Sequence, residues 1–503
     1  MHITMKKRSF PTAHTVLLLI AALVAGLTWL VPSGQFDRLA YDGDQKLFIR
    51  SSQEGSTNLP ANQATLDSLG VKIPLEKFVN GDIYKPVAIP GTYKELDSKP
   101  QGLTAFVQSP LKGIMEAIDV ILFVLIIGGF IGIVNFSGAF DAGIAGLAKG
   151  LNGRESWLIV IITCLIAAGG TTFGLAEETI AFYPILVPVF LAAGYDAMVA
   201  LAAIYLGSSM GTMASTVNPF STIIASDAAG TTWINGIYGR FAMLGLGVGI
   251  CLWYIIRYAQ KVKKDPSKSL IADQKEQIEA LFLHQTDGKK AEYNTRIKLI
   301  LLGFAACFVI MIYGVARLDW WFLEMTTVFF VGAILIALIA RISEKVFVRE
   351  FVKGANDLLG VALIIGIARG VTVLMDDGLI SDTMLFYASN AVDGMPRGIF
   401  VNVMMVLYSG LSFFIPSSSG MAVLTMPIMA PLADVVGVGR EQVVNAYMYG
   451  MGLFAFINPT GLILASLGMV QVGFNKWLRF VMPLVGILLV LSMVLLTLGV
   501  YLS

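Results

Sequence analysis

Charge is scarce in this sequence. Asp, Glu, Lys and Arg make up 14% of its 503 residues, where an average soluble domain carries about 25%. With 56% hydrophobic residues and a mean hydropathy of +0.75, the chain reads as a polytopic membrane protein. The formal net charge is +1. Bulk charge therefore singles out no macromolecular partner, and nothing marks a nucleic-acid binder. Cysteine and histidine are equally sparse. Cys164, Cys251 and Cys307 all fall in apolar segments, and His2, His14 and His284 lie at the N-terminus or in a polar loop. No metal-ligand spacing appears, so the cysteines read as small hydrophobes and neither a structural metal nor a cofactor is expected. The phosphate-cradling pattern G-x-x-x-x-G-K-[ST] is missing, which argues against ATP-driven transport by this chain alone. No nucleophile stands with a base or a metal set in the apolar segments, so an enzyme is not expected.

What the chain does have is long apolar runs. A run from about residue 15 to 31 follows Lys6, Lys7 and Arg8. It lacks a small-residue cleavage pattern and reads as an N-terminal membrane helix (residues 1–32) starting in the cytoplasm. Residues 33–102 are polar and read as an extracytoplasmic insert without the apolar density for a large core. Residues 103–118 suggest an interfacial helix, with Leu111, Ile114, Met115 and Ile118 on one side. Spans are expected at 119–138, 238–257, 297–316, 322–340, 357–375 and 478–501. The loop 258–296, with Lys261, Lys263, Lys264, Lys268, Lys275, Lys289, Lys290 and Arg296, marks the cytoplasmic side, as do Lys149 and Arg154. Residues 297–342 read as two connecting scaffold helices around an interfacial Trp320-Trp321. These assignments leave the C-terminus extracytoplasmic.

Two stretches break the apolar pattern. The first holds Gly169 to Thr179 and closes at Gly211 to Pro219. The second holds Pro416 to Gly420 and closes at Phe456 to Gly461. Lipid cannot satisfy backbone groups freed by such breaks, so they survive only around a protein-enclosed or watery cavity. Paired breaks in two halves of a membrane chain point to a transporter's binding site. The expected architecture is an all-α membrane protein with about nine spans and two re-entrant hairpins. Its first unit (103–257) has a hairpin at 155–194 and a broken helix at 197–235, interrupted over 207–219. Its second (343–503) has a hairpin at 397–436 and a broken helix at 441–473. Loop charge gives the two units opposite orientations. A weak direct match aligns Phe106-Val107, Lys112-Gly113 and Leu125 to Gly128 with Phe351-Val352, Lys353-Gly354 and Leu363 to Gly366.

The sequences Gly-Leu-Ala-Glu-Glu-Thr at 174–179, Ser-Thr-Val-Asn-Pro-Phe at 215–220, Ile-Pro-Ser-Ser-Ser-Gly at 415–420 and Phe-Ile-Asn-Pro-Thr at 456–460 resemble the DcuC/YfcC-type carriers. These form the C4-dicarboxylate anaerobic carrier-like family of the ion-transporter superfamily. The resemblance implies a homodimer in a bacterial-type inner membrane, with a scaffold part and a hairpin-bearing transport part that alternate access like an elevator. Sodium-dicarboxylate members carry Ser-Asn-Thr at the hairpin tips. This chain has Ser417-Ser418-Ser419 and Glu177-Glu178-Thr179, so the YfcC-like and arginine/ornithine-exchanger-like branches are the closer likeness.

The residues at the breaks suggest how a solute is held. Hydroxyls of Thr171, Thr172, Thr179, Ser417, Ser418, Ser419 and Thr460 can ligate a cation or bind a carboxylate, and Asn218 and Asn458 offer both donor and acceptor. The same groups also glue helices together. Glu177 and Glu178 are the sharpest signal, because a carboxylate at membrane depth costs about 2.5 kcal/mol or more. It needs a cationic solute, Na+ or H+, or a structural partner such as Arg369. Adjacent acids on a helical turn point apart, so one can face the solute while the other caps the hairpin. Glu177, Glu178, Ser215, Thr216, Asn218, Ser418 and Asn458 are the coupling-ion candidates. Arg369 is either an anion-binding residue or the partner of an acid. The expected function is secondary transport of a small amino or carboxylic acid. A basic amino acid is favoured, by exchange or H+/Na+ coupling, and a cation-coupled C4-dicarboxylate is the alternative.

Overall fold

The computed structural model describes residues 12–81, 83, 85–139, 142, 155–282, 294–318, 320–392 and 394–502. The basic markers Lys6, Lys7, Arg8, Lys149, Arg154, Lys289 and Lys290, and the histidines His2 and His284, lie outside the described residues. Helix α1 (Ala13–Leu27) starts at Thr12, whose side chain accepts from the Thr15 N–H.

The membrane part is all-α as expected, and the insert that follows is a small folded unit built on short strands. Strands β2 (Arg38–Asp42), β3 (Leu47–Ser52), β4 (Gly55–Pro60) and β5 (Val87–Ala88) form an antiparallel sheet in the order β4-β3-β2-β5. Strands β1 (Gly34–Gln35) and β6 (Lys94–Glu95) form a separate ribbon. Together with α2 (Gln63–Ser68) and α3 (Leu75–Val79), the sheet buries Leu39, Phe48, Leu66, Val71, Ile73 and Phe78. A small core closes because these scattered apolar residues converge on one sheet face.

The first unit runs α4 (Leu103–Glu116), α5 (Ile118–Phe136), α6 (Ser156–Phe173), a 3-10 turn (Glu177–Phe182), α7 (Tyr183–Ala192), α8 (Ala197–Met213), a π-turn (Pro219–Ile223), α9 (Ile224–Ala228) and α10 (Ile237–Lys264). Helices α11 (Lys275–Phe282), α12 (Thr295–Arg317) and α13 (Phe322–Ala340) connect it to the second unit. That unit runs α14 (Glu344–Asp357), α15 (Leu359–Asp377), α16 (Ser381–Asn390), α17 (Arg397–Phe414), α18 (Ser418–Val436), α19 (Arg440–Ala455), α20 (Ile463–Val470) and α21 (Phe474–Leu502).

Among the described residues, nine helices are long and apolar enough to cross a membrane: α5, α6, α10, α12, α13, α15, α17, α18 and α21. The number matches the expected nine crossings, but the members differ. Three of them are hairpin arms, whereas α1 and α8, with 15 and 17 residues, fall short. The interruptions are also shorter than the sequence suggested. Helix α6 continues through Gly169 and Gly170 and stops at Gly174, whose positive φ of 79° lets its N–H return to the Gly169 carbonyl. Helix α8 continues through Gly207 and Gly211 to Met213. Those glycines serve packing, not a break: a Cβ on Gly211 would sit 2.4 Å from the Ala167 carbonyl oxygen, and one on Gly207 2.9 Å from that of Thr163. They allow α6 to lie against α8 at close range.

The two units trade contacts reciprocally. Helix α4 packs on α15, and α14 packs on α5. Helix α4 turns Leu103, Val107, Leu111 and Met115 outward and buries Gly113. A Cβ on Gly113 would meet the Gly366 oxygen at 2.2 Å, and one on Gly354 would meet the Gly128 oxygen at 2.2 Å. The weak sequence match aligns Gly113 with Gly354 and Gly128 with Gly366. A two-fold relation between the units requires this exchange of partners.

Both hairpins close at their open ends. Ser156 Oγ lies 3.5 Å from Tyr195 Oη across the first. In the second, Arg397 Nε donates to the Val436 carbonyl at 3.2 Å, and Tyr408 Oη lies 3.2 Å from Thr425 Oγ1 partway to the tip. Each first arm packs on the broken helix of its own unit, α6 on α8 and α17 on α19. Each short helix after a break packs on the second hairpin arm of the other unit, α9 on α18 and α20 on α7.

Candidate functional site

The two breaks are built alike. At residues 214–218 the chain leaves α8, and Asn218 spans the gap. Its Nδ2 donates to the Gly170 carbonyl at 3.3 Å, and its Oδ1 accepts from the Phe220 N–H at 2.8 Å. At residues 456–462 Asn458 repeats both bonds. Its Nδ2 donates to the Ser412 carbonyl at 2.9 Å and its Oδ1 accepts from the Thr460 N–H at 3.1 Å. Pro219 and Pro459 follow, without N–H groups to offer a helical ladder. Each Asn thus ties the end of its hairpin's first arm to its break. Both are buried, as lipid-depth backbone demands.

Most of the expected hydroxyls are engaged in this repair. Thr171 Oγ1 donates to the Ala214 carbonyl at 3.1 Å and receives the Thr216 N–H at 2.9 Å. Thr216 Oγ1 donates to the Thr171 carbonyl at 3.3 Å. Ser215 Oγ bonds Thr222 Oγ1 at 2.5 Å. Thr179 Oγ1 donates to the Ala176 carbonyl at 2.6 Å, and Thr460 Oγ1 donates to the Phe413 carbonyl at 2.8 Å. Thr172 Oγ1 donates to the Ala168 carbonyl at 2.6 Å but stays exposed. The two breaks are held side by side where α8 meets α19. Tyr205 Oη donates to the Ala455 carbonyl at 2.8 Å, and Thr222 Oγ1 lies 3.1 Å from Met448 Sδ.

At the first tip the adjacent acids take different positions. Glu178 Oε2 accepts from the Ala176 N–H at 3.1 Å, capping the turn that follows Gly174. Glu177 remains exposed even though protein surrounds it deeply, the condition of a group lining a crevice. Among the described residues no cation stands within ion-pair distance of either acid. The charges felt at Glu177 are those of other acids, Glu178 and Asp119 at the start of α5.

The second tip is neutral on its own and gains a cation from the insert. Ser417 Oγ accepts from the Gly420 N–H at 3.2 Å, and the Ser418 carbonyl accepts from Tyr447 Oη at 2.8 Å. Ser419 Oγ accepts from Lys85 Nζ at 2.9 Å. Burial lowers the Lys85 ammonium below its ordinary pKa, and the nearby charge of Arg369 lowers it further. Arg369 itself pairs with Glu116 at 3.0 Å, with both side chains partly exposed. Its expected alternative role, partner of an acid, is therefore occupied by Glu116 rather than by Glu177 or Glu178. The charges form an ordered series around the corner between α4 and α5: Glu177 and Asp119 at the first tip, the Glu116–Arg369 pair, then Lys85 at the second.

Lys85 and Asp119 carry no sequence signal. Lys85 sits in a polar stretch among other lysines, and Asp119 opens an apolar span where an interfacial acid is unremarked. Tyr447 had a signal only as one of several aromatics near the breaks.

The sequence is similar to known carriers over nearly its whole length. The family model described as DcuC, C4-dicarboxylate anaerobic carrier, matches residues 10–501. An uncharacterized protein of Haemophilus influenzae is 44% identical over 497 residues, covering 98% of each chain. YfcC of Escherichia coli, provisionally named a basic amino acid antiporter, is 29% identical over 508 residues, covering 97% of this chain and 96% of its own. The solved structure of the Alcanivorax borkumensis YdaH transporter aligns over 97% of this chain and 98% of its own, at 14% identity and a TM-score of 0.37. The chain belongs to the DcuC family of membrane carriers.

Proposed function

We propose that this protein is a secondary active transporter of a small amino or carboxylic acid, with a basic amino acid as the favoured solute. One observation carries the reading. Glu177 is an exposed carboxylate with no cation within ion-pair distance among the described residues, while Glu178 caps the Ala176 N–H. An amine or guanidinium meets that need directly. The opposite end of the charge series, at Lys85 and Arg369, suits an α-carboxylate. The name given to the Escherichia coli relative points the same way.

Transport runs by exchange or by coupling to H+ or Na+, with Glu177 and the Ser215–Asn218 and Asn458 breaks as the coupling-ion candidates. The hairpins and broken helices move as one body against a scaffold of α4, α5 and α12 to α15, in an elevator-type cycle within a homodimer. The bacterial inner membrane is the setting, with the insert outside.

A C4-dicarboxylate is the second reading, favoured by the family description. In that case Glu177 holds the coupling ion and Arg369 the solute. Counterflow into proteoliposomes separates the two. The favoured reading expects labelled arginine to accumulate against internal arginine or a related amine, with succinate inert. Accumulation of succinate but not arginine refutes it.

A further inference from the structure

The insert is fastened to the membrane part at two places of different character. At one, it is anchored to the end of α15 and the start of α16. Ser33 Oγ donates to the Gly378 carbonyl at 2.8 Å, and the Phe36 N–H reaches Asp382 at 2.9 Å. Arg38 pairs with the buried Asp382 at 2.7 Å. The Tyr93 ring stacks on Phe386 with centroids 4.2 Å apart. At the other place, two lysines reach the hairpin-bearing part. Lys85 Nζ donates to Ser419 Oγ at the second tip, 2.9 Å away. Lys77 pairs with Asp227 of α9, just past the first break, at 3.3 Å. Beside that pair the insert backbone closes in, since a Cβ on Gly230 would lie 2.4 Å from the Lys72 oxygen.

We propose that the insert is a strap across the hairpin-bearing part, with Lys85 and Lys77 as its releasable ends and the Asp382 cluster as its fixed end. The proposal deepens the transporter reading, on which it rests, by naming what gates the cavity on the insert's face. The strap reaches both units, one lysine at the second hairpin's tip and the other past the first unit's break. Motion of these elements relative to α15 must break both lysine contacts, because the insert cannot follow while held at Asp382. The two ends are unequal in strength. The fixed end combines an Arg38 Nη2 that donates to both Asp382 oxygens with ring stacking and backbone bonds. At the releasable end the polar contacts are made by flexible ammonium groups, point charges that re-form contacts without a fixed geometry, beside the packing of β5 on α18. The ammonium of Lys85 is held at a disfavoured place, pressed by burial and by Arg369.

The test uses the full-length protein in lipid nanodiscs. In the Lys77→Ala/Lys85→Ala double variant, amide exchange in 219–230 and 415–425 should each quicken at least about tenfold, the loss expected when each segment gives up one charge-assisted contact. Strands β2 to β4 should keep their protection, and Lys77→Arg/Lys85→Arg should restore the slow exchange. Unchanged exchange in both segments overturns the strap. A second measurement locks it. With Cys164 replaced by Ala, Lys77→Cys and Asp227→Cys, at the end of the strap that carries no solute-binding role, are joined by a reducible thiosulfonate cross-linker in proteoliposomes. Counterflow should stop on cross-linking and return on reduction; counterflow that persists while cross-linked overturns the strap. If no solute is transported by the unmodified protein, the transporter reading fails on its own, and the exchange result still decides whether the insert restrains the two segments.

Discussion

Replacing Glu177 and Glu178 one at a time by Gln should separate two roles that adjacency in sequence conceals. Glu178 Oε2 accepts one backbone N–H, that of Ala176, at 3.1 Å. Glutamine keeps an oxygen there, so Glu178→Gln retains the cap and should change half-saturation by less than about threefold. Glu178→Ala removes the acceptor and should cost about 1 kcal/mol of stability. Glu177 meets its own backbone N–H and, among the described residues, caps no other residue. If its charge meets the cationic end of the solute, neutralising it removes an interaction of about 1.5–3 kcal/mol. Half-saturation should then rise roughly 10- to 150-fold, at 1.4 kcal/mol per factor of ten. The accompanying stability change carries the opposite sign. An uncompensated carboxylate at this depth is a liability of about 2.5 kcal/mol or more, so Glu177→Gln should melt at the same temperature as the parent or above it. Counterflow kinetics in proteoliposomes and thermal unfolding in detergent measure the two quantities independently. Unchanged counterflow in both Gln variants refutes the acidic-tip mechanism. A Glu177→Gln protein that unfolds at lower temperature refutes the crevice, since it would show that the charge has a structural partner.

Two further substitutions test the frame. Gly354→Ala places a methyl 2.2 Å from the Gly128 oxygen, a backbone atom that cannot swing away. It should force α14 off α5 and cost about 1–3 kcal/mol, whereas Gly249→Ala, which meets nothing within 4 Å, should be neutral or stabilise by about 0.5–1 kcal/mol; equal melting temperatures for the two would contradict the close contact. At the second break, Asn458→Asp keeps the acceptor for Thr460 but aims a carboxylate at the Ser412 carbonyl, 2.9 Å away. It should destabilise more than Asn458→Ala, and the reverse order in thermal unfolding would show that the Nδ2 bond is not made.

The membrane part was largely legible in the sequence because bilayer depth imposes a single rule on long runs. Helices α5, α10, α12, α13, α15 and α21 lie within a few residues of the expected spans, apart from a longer C-terminal end on α10. The positions of both Asn-Pro breaks were legible for a related reason, since Pro after Asn cannot be hidden in a helix. Glycine was ambiguous. Gly174 ends α6 through its positive φ, but Gly207 and Gly211 lie inside α8 and exist for helix contact. Hydropathy does not distinguish these uses; only the neighbour across the interface does. The insert was the least legible segment. Its core is assembled from residues as far apart as Leu39 and Val87, separated by turns and short strands that leave no periodic pattern. Lys85 became a site neighbour only through that fold.

The two units are alike in backbone and unlike in charge, and on the proposed function that difference would set selectivity. Asn218 and Asn458 make the same pair of bonds, and Gly113 and Gly354 the same close approach, so architecture alone presents a solute with two equivalent openings. A symmetric pair of tips would hold a symmetric ligand. The first tip instead carries two carboxylates, of which Glu178 caps the Ala176 N–H and Glu177 is exposed, with the charge of Asp119 felt there. The second carries three serines and borrows its charge from an insert that belongs to neither unit. Because the borrowed cation stands on a separate folded element, charge at the second tip can be exchanged without disturbing the repeat. A solute with an amine at one end and a carboxylate at the other fits that asymmetry, and a dicarboxylate fits only one half of it. Moving the asymmetry should move the preference: Glu177→Gln combined with Lys85 intact should weaken a basic amino acid more than a neutral one of the same length. Equal weakening of both in competition counterflow would place the solute's cationic end elsewhere.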